Sequence, residues 1–371
     1  MNPIYVARPI VPNQQEFQEI LSTAFNSRHL TNGAALVTAL ELRLGQMLSS
    51  PNISLVCNGT VAIEVAARAL RFTGKVITTP FTFPATLNAL LWIGLEPVLV
   101  DVEDEYLTID PLMVERALTD DVSGIVGVHV YGNPCDLNRL ELIARARNLP
   151  ILYDGAHVFD GTYQGVPIVK SGDATTLSFH ATKFFNTAEG GAIVSKSSAV
   201  RDSVNSLRNF GIKSEDNIIA AGINGKMSEL SAAFGLANLN QLSEERDRRI
   251  AVIDTYNEIL SRHSGIQIVP TRPGTSRRIQ YYAIRIGSDG LKSVRDDVYE
   301  KLRQQGIFAR RYFWPLLSDV DSLRSKLREQ SFDFPIASRA AKEVLVLPLH
   351  GGISNDDASR IGNAVIEALN D

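Results

Sequence analysis

Cysteine is scarce in this sequence. Its 371 residues include two cysteines, Cys57 and Cys135, whose separation does not match the close spacing of metal-ligand pairs. Small secreted domains that depend on disulfides carry many more cysteines for their length. The scarcity argues against a disulfide scaffold and favours a protein of the reducing cytoplasm.

A basic excess and long apolar runs are also missing. The 37 Lys and Arg residues stand against 41 Asp and Glu residues, a formal net charge of −4, whereas nucleic-acid-binding proteins usually carry a basic patch. The best apolar candidate, residues 89–100, is broken by Gly94, Glu96 and Pro97 and falls short of the roughly 20 residues that span a bilayer. Residues 1–8 lack the layout of a signal peptide. We therefore expect a soluble, cytoplasmic protein that binds neither nucleic acid nor membrane.

What the sequence does contain is the alternating pattern of an α/β protein. Between residues 34 and 200, short apolar runs are separated by helical stretches such as 34–48 and 137–147. Strands that alternate with helices indicate βαβ units and a mainly parallel sheet. The predicted strands of this part are 53–57, 75–78, 96–100, 124–130 and 150–153.

A second, smaller α+β region is predicted after residue 240. It opens with a long helix and continues with two strands and a further helix; these elements are 241–263, 280–286, 297–305 and 345–348. The predicted domains are residues 1–245 and 246–371, in keeping with the length of the chain. Residues 244–249 form a charged run on the long helix, which we predict to be a solvated face without a function.

Residues 58–60, Asn-Gly-Thr, end one predicted strand and open a helix. Gly59 permits a close approach of the backbone, and the helix N–H groups together with the Thr60 hydroxyl can bind a phosphate. The alternative is a simple helix cap at Thr60, which the tripeptide taken alone favours.

Two more features lie where strands of an open α/β sheet place a site. Asp154 ends a predicted strand, with His157 three residues later; its carboxylate can pair with a protonated heterocycle, bind a metal, or simply cap a turn. Lys183 has no opposite charge within five residues, and such surroundings favour the neutral, nucleophilic amine. A lone lysine is nevertheless more often a surface cation.

Together, a phosphate cradle, a carboxylate for a pyridinium nitrogen and a reactive lysine describe a pocket for pyridoxal phosphate. The sequence also resembles the DegT/DnrJ/EryC1/StrS family of nucleotide-sugar aminotransferases, nearly from end to end. The resemblance rests on ordered motifs at residues 30–33, 58–60, 80–83, 154–157, 178–191, 224–229 and 348–350. It implies fold type I, in which a large domain has a mixed, mainly parallel seven-stranded sheet flanked by helices and a smaller C-terminal domain is α+β.

The resemblance implies roles for individual residues. Lys183 would hold the cofactor covalently and move a proton, and Asp154 would keep the pyridine nitrogen protonated. His157 would lie near the 3′ oxygen of the ring, and Phe83 would stack on the ring face. Asn224 would reach the phosphate of a neighbouring subunit, which implies a homodimer with composite active sites. The remaining phosphate ligands would be Gly59, Thr60 and Ser178.

Contacts to the substrate are expected from a further set of residues. Arginine suits phosphate and aromatic rings suit stacking, so residues 310–315 either hold a nucleotide diphosphate or pack as a strand edge on the smaller domain. Lys226 stands where the family commonly has arginine. No metal site is predicted. The expected substrate contacts are His29, Lys226, Arg310, Tyr312 and His350.

The resemblance is closest to transaminases that convert dTDP-4-keto-6-deoxy-D-glucose into dTDP-4-amino-4,6-dideoxy-D-glucose, with L-glutamate as the amino donor. The product would serve O-antigen (lipopolysaccharide), capsule or secondary-metabolite glycosylation. Three alternatives stay open: an aminotransferase for a C3-keto sugar, a dehydratase or epimerase on the same scaffold, and a regulatory protein of this fold without turnover. Lys183 disfavours the dehydratase, because some relatives of that kind carry histidine at this position.

Overall fold

The computed structural model describes residues 2–287, 294–327 and 333–370. Its helices are α1 (Gln14–Ser27), α2 (Ala35–Met47), α3 (Gly59–Ala69), α4 (Pro84–Trp92), α5 (Pro111–Ala117), α6 (Leu137–Arg147), α7 (Ser198–Leu207), α8 (Glu229–Leu239), α9 (Leu242–Leu260), α10 (Val294–Gln304), α11 (Asp321–Arg324), α12 (Pro335–Glu343) and α13 (Asn355–Asn370). Its strands are β1 (Ile4–Tyr5), β2 (Ile53–Val56), β3 (Lys75–Thr78), β4 (Glu96–Leu99), β5 (Val122–Val128), β6 (Ile151–Asp154), β7 (Thr162–Tyr163), β8 (Val166–Pro167), β9 (Ala174–Ser178), β10 (Gly191–Ser195), β11 (Ile212–Ser214), β12 (Asn217–Ile218), β13 (Ile266–Ile268), β14 (Tyr282–Ile286), β15 (Ile307–Phe308) and β16 (Val344–Leu347).

A seven-stranded sheet lies at the centre of the first half of the chain, in the order β2-β10-β9-β6-β5-β3-β4. Strand β10 is antiparallel to both of its neighbours, and the other adjacent pairs are parallel. The residues of β2, β6 and β10 are all buried, which is typical of a sheet covered by helices on both faces. The predicted fold class, a mainly parallel seven-stranded α/β sheet, is confirmed.

The C-terminal part contains a second sheet, of three antiparallel strands in the order β13-β14-β16. Helices α9 and α13 pack on one another, and α10 and α12 contact β14. The predicted boundary at residue 245 falls within α9 and stays a prediction. Strand β1, at the other end of the chain, pairs in parallel with β15, so the N-terminus joins the smaller C-terminal part. Within the described residues, no helix is both long and apolar enough to cross a membrane.

Most strand and helix predictions agree with the structure to within about two residues. Helix α6 and strand β3 have the predicted bounds, whereas β5 starts two residues earlier than predicted, at Val122. Strand β9 is not among the predicted strands. Its sequence, Ala-Thr-Thr-Leu-Ser, has a single large apolar residue although four of its five residues are buried, so its polarity conceals its place in the sheet.

The prediction that the charged run on α9 is a solvated face is wrong for part of that run. Arg249 is only 1% exposed. Its Nε donates to Glu245 at 2.6 Å, and its Nη1 donates to the carbonyl of Ile279 at 3.1 Å. The preceding turn adds an ion pair between Arg246 and Asp160. These contacts attach α9 to the segment that leads into β14 and to the loop after β6.

Arg249→Met is expected to lower the free energy of unfolding by about 3 kcal/mol, because it leaves Glu245 without its cationic partner at a largely buried position. Arg248→Met is the matched control. Arg248 is the neighbouring residue, and its pair with Glu244 is solvent-exposed, so the expected loss is below about 1 kcal/mol. Denaturant unfolding of both variants measures the difference, and equal losses would contradict the structural role of Arg249.

Candidate active site

A cavity of about 320 Å³ opens at the carboxyl ends of β2, β5, β6 and β9, the edge at which open α/β sheets bind ligands. Its volume lies in the range of small-molecule sites. The cavity brings together most of the residues predicted from sequence. They are Gly59, Thr60, Phe83, Asp154, His157, Ser178, Lys183, Arg310 and Tyr312.

The N-terminus of α3 forms one wall of this cavity. The helix cap is Asn58, whose side chain accepts from the N–H of Val61 at 2.9 Å, and not Thr60. Thr60 is thereby left free of the capping role, and both Thr60 and Ser178 line the cavity. A helix N-terminus with free N–H groups and two hydroxyls is suited to a phosphate.

Gly59 allows α3 to approach the end of β9. A Cβ built on Gly59 would lie 2.9 Å from the Cβ of Ser178 and 3.2 Å from its Oγ. Both atoms belong to a strand in the middle of the sheet, which cannot easily move. A side chain at position 59 would therefore push the helix N-terminus away from Ser178 and widen the cradle.

We expect Gly59→Ala to weaken binding of pyridoxal phosphate at least tenfold, since the N–H groups and hydroxyls that face the phosphate would no longer converge. The measurement is cofactor affinity by fluorescence titration. Gly287→Ala is the control, because a Cβ built there meets nothing within 4 Å and the residue has no positive φ. Equal affinities for the two variants would contradict the role of Gly59 in binding the phosphate.

Asp154 is held in a fixed orientation at the end of β6. Its Oδ2 accepts from the hydroxyl of Thr86 at 2.7 Å, and its Oδ1 accepts from the N–H of Ala156 at 3.1 Å. The Thr86 hydroxyl is 2.8 Å from that of Thr82, and both threonines are buried. Asp154 therefore does cap its turn, as the simpler interpretation proposed, and it also presents a carboxylate to the cavity.

Lys183 lies in the loop between β9 and β10, and its Nζ donates to the hydroxyl of Tyr281 at 3.4 Å. Burial lowers the pKa of the Lys183 amine, against the opposing effects of Tyr312 and Asp154 and together with the charge of Arg310. A lowered pKa increases the fraction of neutral amine, which is the nucleophilic form. The expectation that the surroundings of Lys183 favour this form is thus met by the structure.

His157 is buried in the floor of the cavity. Its Nδ1 accepts from the backbone N–H of Tyr131 at 3.2 Å, which leaves Nε2 as the ring donor. Burial, followed by the charges of Lys183 and His129, lowers the pKa of His157 well below its usual value. The ring is therefore neutral at ordinary pH and offers a single N–H.

Aromatic rings and one guanidinium line the outer part of the cavity. Phe83 packs edge-on against Tyr312, with 6.3 Å between ring centroids, and Arg310 lies 4.8 Å from the Tyr312 ring centroid. The backbone of Arg310 also pairs with Val346 of β16 in both directions at 2.8 Å. The two interpretations of residues 310–315 are thus compatible at Arg310: the backbone packs as a strand edge and the side chain faces the cavity.

Four predicted residues lie elsewhere in this chain. Asn224 is exposed and pairs through its backbone with Asn209. The Nζ of Lys226 donates to the Asn209 side chain at 2.9 Å and lies 4.6 Å from the ring centroid of Phe210. The segment that contains Asn224 and Lys226 borders the cavity from outside, because the backbone of Lys226 forms a bridge with Val56 at the end of β2.

The two predicted histidines are not among the residues that line the cavity of Lys183. His29 is exposed at the end of α1, where its N–H donates to Ser27 at 3.3 Å. His350 lines a different cavity with residues of the N-terminal segment, and its Nδ1 accepts from the N–H of Gly352 at 3.1 Å. Burial lowers the pKa of His350 to about 4. Their roles in substrate binding stay predictions.

Sequence reasoning missed Thr86, which donates to Asp154, and Tyr281 and Gln280, which contact Lys183 and its neighbours. Gln280 and Tyr281 belong to a segment predicted only as a strand, and Thr86 has no motif of its own. Strand alternation reveals which face of a segment is buried, but it does not reveal that the buried face meets a loop almost a hundred residues earlier.

The donors and charges of the cavity fit pyridoxal phosphate. The cradle at Gly59 is space that a Cβ would fill, and it is bordered by helix N–H groups and hydroxyls that suit a phosphate. Asp154 supplies an anion for a pyridinium nitrogen, and Lys183 supplies an amine for the aldehyde. Within the described part of the chain, no group of three or more His, Cys, Asp or Glu side chains is arranged to hold a metal ion.

The chain is similar to known proteins over nearly its whole length. Residues 12–366 match the model of the DegT/DnrJ/EryC1/StrS aminotransferase family. The chain is 38% identical over 365 residues to the dTDP-4-amino-4,6-dideoxy-D-glucose transaminase of Shigella dysenteriae, with 98% of this chain and 99% of that protein covered. It is 36% identical over 360 residues to the transaminase of the same name from Escherichia coli, with 96% of each covered.

A solved structure supports the same relationship. The structure of DesI in the presence of its TDP-sugar product matches with a TM-score of 0.93 at 33% identity, and the match covers 100% of this chain and 94% of that one. The family model and the two transaminases each span nearly the whole sequence. The chain therefore belongs to the DegT/DnrJ/EryC1/StrS aminotransferase family and is a pyridoxal phosphate-dependent sugar aminotransferase.

Proposed function

We propose that the protein transfers an amino group from L-glutamate to dTDP-4-keto-6-deoxy-D-glucose, with dTDP-4-amino-4,6-dideoxy-D-glucose as the product. The names of the two transaminases, at 38% and 36% identity, support this substrate. The Arg310 side chain beside Phe83 and Tyr312 at the cavity mouth offers a cation for a phosphate or carboxylate and apolar faces for a sugar ring or base.

Bound pyridoxal phosphate supplies an electron-withdrawing ring that stabilises negative charge at the reacting carbon. In our proposal the α3 N-terminus, Thr60 and Ser178 bind its phosphate. Asp154 would keep the pyridine nitrogen protonated, and the Nε2–H of His157 would donate a hydrogen bond to the 3′ oxygen. Phe83 would cover the ring and limit the access of water.

Lys183 has two tasks in this proposal. Its neutral Nζ first provides the covalent attachment of the cofactor. With its Nζ free again, Lys183 would be the base that accepts the proton from the α-carbon of glutamate, and in its protonated form it would supply the proton to the sugar carbon that receives the amino group. The lowered pKa of Lys183 suits an amine that must be neutral when it accepts a proton and protonated when it delivers one.

We further propose a homodimer in which Asn224 of one subunit completes the phosphate site of the other. The support is the exposure of Asn224 and of three isoleucines of the same segment, Ile218, Ile219 and Ile223, which are 71%, 56% and 41% exposed. Exposed apolar patches commonly mark protein–protein contacts. A cytoplasmic location and a product that serves O-antigen, and thus lipopolysaccharide, synthesis are parts of the same proposal.

The substrate is tested by supplying purified enzyme with L-glutamate and, in parallel, dTDP-4-keto-6-deoxy-D-glucose or a dTDP-3-keto-6-deoxyhexose. Release of 2-oxoglutarate and a new aminosugar nucleotide are measured by mass spectrometry. We expect turnover with the 4-keto sugar at least tenfold above that with the 3-keto sugar. Preference for the 3-keto sugar would favour the C3 aminotransferase, and a cofactor-free, inactive protein would favour the regulatory alternative.

A further inference from the structure

The two peptide groups of Lys183 are both hydrogen-bonded to one side chain, that of Gln280. The Oε1 of Gln280 accepts from the N–H of Phe184 at 2.7 Å, and its Nε2 donates to the carbonyl of Thr182 at 3.4 Å. The carbonyl of Thr182 and the N–H of Phe184 belong to the peptide groups on either side of Lys183. Gln280 is 7% exposed, so water does not readily replace these bonds.

The residues next to Gln280 contact the same loop. Tyr281 accepts from the Nζ of Lys183 at 3.4 Å, and the carbonyl of Ile279 accepts from Arg249 at 3.1 Å. The guanidinium of Arg249 also lies 5.2 Å from the ring centroid of Phe184. Residues 279–281 are thus held by α9 on one side, and on the other they contact the backbone and side chain of Lys183.

From this geometry we infer that Gln280 is a positioning residue for Lys183, and that through it the smaller C-terminal part of the chain fixes where the amine lies in the cavity. A carboxamide is needed for this role because one end of the side chain must both donate and accept. The inference rests on the function proposed for Lys183, but it concerns the placement of the amine, which can be measured without turnover.

Positioning of this kind has a large effect on reactivity, because a displacement of about 1 Å can cost a factor of about 10² in rate. Within the described residues, Tyr281 is the one side chain recorded as hydrogen-bonded to the amine of Lys183. Lys183 interacts electrostatically with five titratable or charged groups: Asp154, His157, Tyr281, Arg310 and Tyr312. A displaced amine would change its distance to all of them.

The test compares the full-length wild-type protein, Gln280→Met and Asn238→Leu. Methionine matches glutamine in shape but cannot donate or accept strongly. Asn238 is the matched control: it is 0% exposed and its Nδ2 donates to the carbonyls of Ile10 and Asn186 at 3.3 and 3.1 Å. Asn238→Leu also removes a buried carboxamide that donates to the loop of Lys183, at Asn186. That carboxamide, however, does not bond to the peptide groups of Lys183.

The first measurement is competitive acetylation of the cofactor-free proteins with acetic anhydride over about pH 6 to 11, with the Lys183 peptide quantified by mass spectrometry. In Gln280→Met we expect the displaced amine to become more accessible to solvent. Its pKa should then rise toward the ordinary lysine value by at least about half a unit, which lowers the neutral fraction at pH 8 about threefold. Asn238→Leu should leave that pKa unchanged.

The second measurement is steady-state transfer with saturating cofactor. We expect Gln280→Met to lower kcat about 10- to 100-fold with little change in KM for the nucleotide sugar, and Asn238→Leu to retain kcat within about twofold. An unchanged pKa together with an unchanged kcat in Gln280→Met would overturn the inference. If Gln280→Met does not fold, Gln280→Glu replaces it with kcat as the deciding readout. Ionised glutamate keeps the shape and the bond to Phe184 but cannot donate to Thr182, and its charge alone would raise the pKa of Lys183.

The two measurements separate failure of this inference from failure of the proposed function. If no ketosugar is aminated but the acetylation pKa shifts only in Gln280→Met, Gln280 positions Lys183 and the proposed substrate is wrong. If the wild-type protein turns over and Gln280→Met matches Asn238→Leu in both measurements, the function stands and the positioning role is wrong.

Discussion

Replacement of Lys183 by alanine is expected to lower amino transfer roughly 10⁴-fold, the upper range for loss of a positioned acid–base group. The variant loses both the amine that attaches the cofactor and the base that moves the proton. Tyr281 and Gln280 remain in place and keep the loop ordered, so the fold should survive. The measurement is kcat for 2-oxoglutarate formation, with circular dichroism as the check on folding.

Lys183→Arg is the control for charge and length. Arginine keeps a long cationic side chain but stays protonated at any working pH, so it can neither attach the cofactor nor act as a base. We expect it to be as inactive as Lys183→Ala. If either variant kept more than about a tenth of wild-type kcat, another residue would have to be the base.

Asp154→Asn is expected to lower kcat roughly 10³-fold, comparable to the loss of a key electrostatic group in other active sites. Asparagine has the same shape and can still accept from Thr86, whose hydroxyl donates at 2.7 Å in the native protein. What it lacks is the negative charge that stabilises a protonated pyridine nitrogen. Pre-steady-state measurement of the glutamate half-reaction isolates this effect from product release.

Thr86→Val separates the charge of Asp154 from its orientation. The valine variant keeps the carboxylate and its bond from the N–H of Ala156 but removes the hydroxyl donor, and a single buried hydrogen bond of this kind corresponds to roughly a tenfold effect. Losses of equal size in Thr86→Val and Asp154→Asn would contradict the assignment of a charge-based role to Asp154.

The location of the site could be predicted because its signals are local in sequence. Asp154 ends a strand of the sheet, Gly59 begins the helix that follows one, and Lys183 lies in the loop after one. The carboxyl ends of parallel strands meet at a common edge of the sheet. Strands were predicted less well from local sequence where polar residues are buried. Thr175 and Thr176 are buried in β9, but two adjacent threonines do not predict a buried strand.

The long-range contacts could not be predicted in the same way. Gln280 meets the Lys183 loop across more than ninety residues, and nothing in the residues around either one indicates the other. For Arg249 a local signal did exist. The residues Leu242, Arg249, Val252, Ile253, Tyr256 and Leu260 are all buried and recur at helical spacing, so the arginine occupies the apolar face of α9 despite its charged neighbours.

The most direct test of the account is to find which lysine carries the cofactor. The protein is loaded with pyridoxal phosphate and treated with sodium borohydride, which makes the cofactor–lysine link permanent, then digested and analysed by mass spectrometry. The account predicts the phosphopyridoxyl group on the peptide that contains Lys183, and its loss when L-glutamate is added before reduction. A label on a different lysine, or the absence of any label, would contradict the assignment of this cavity as the active site.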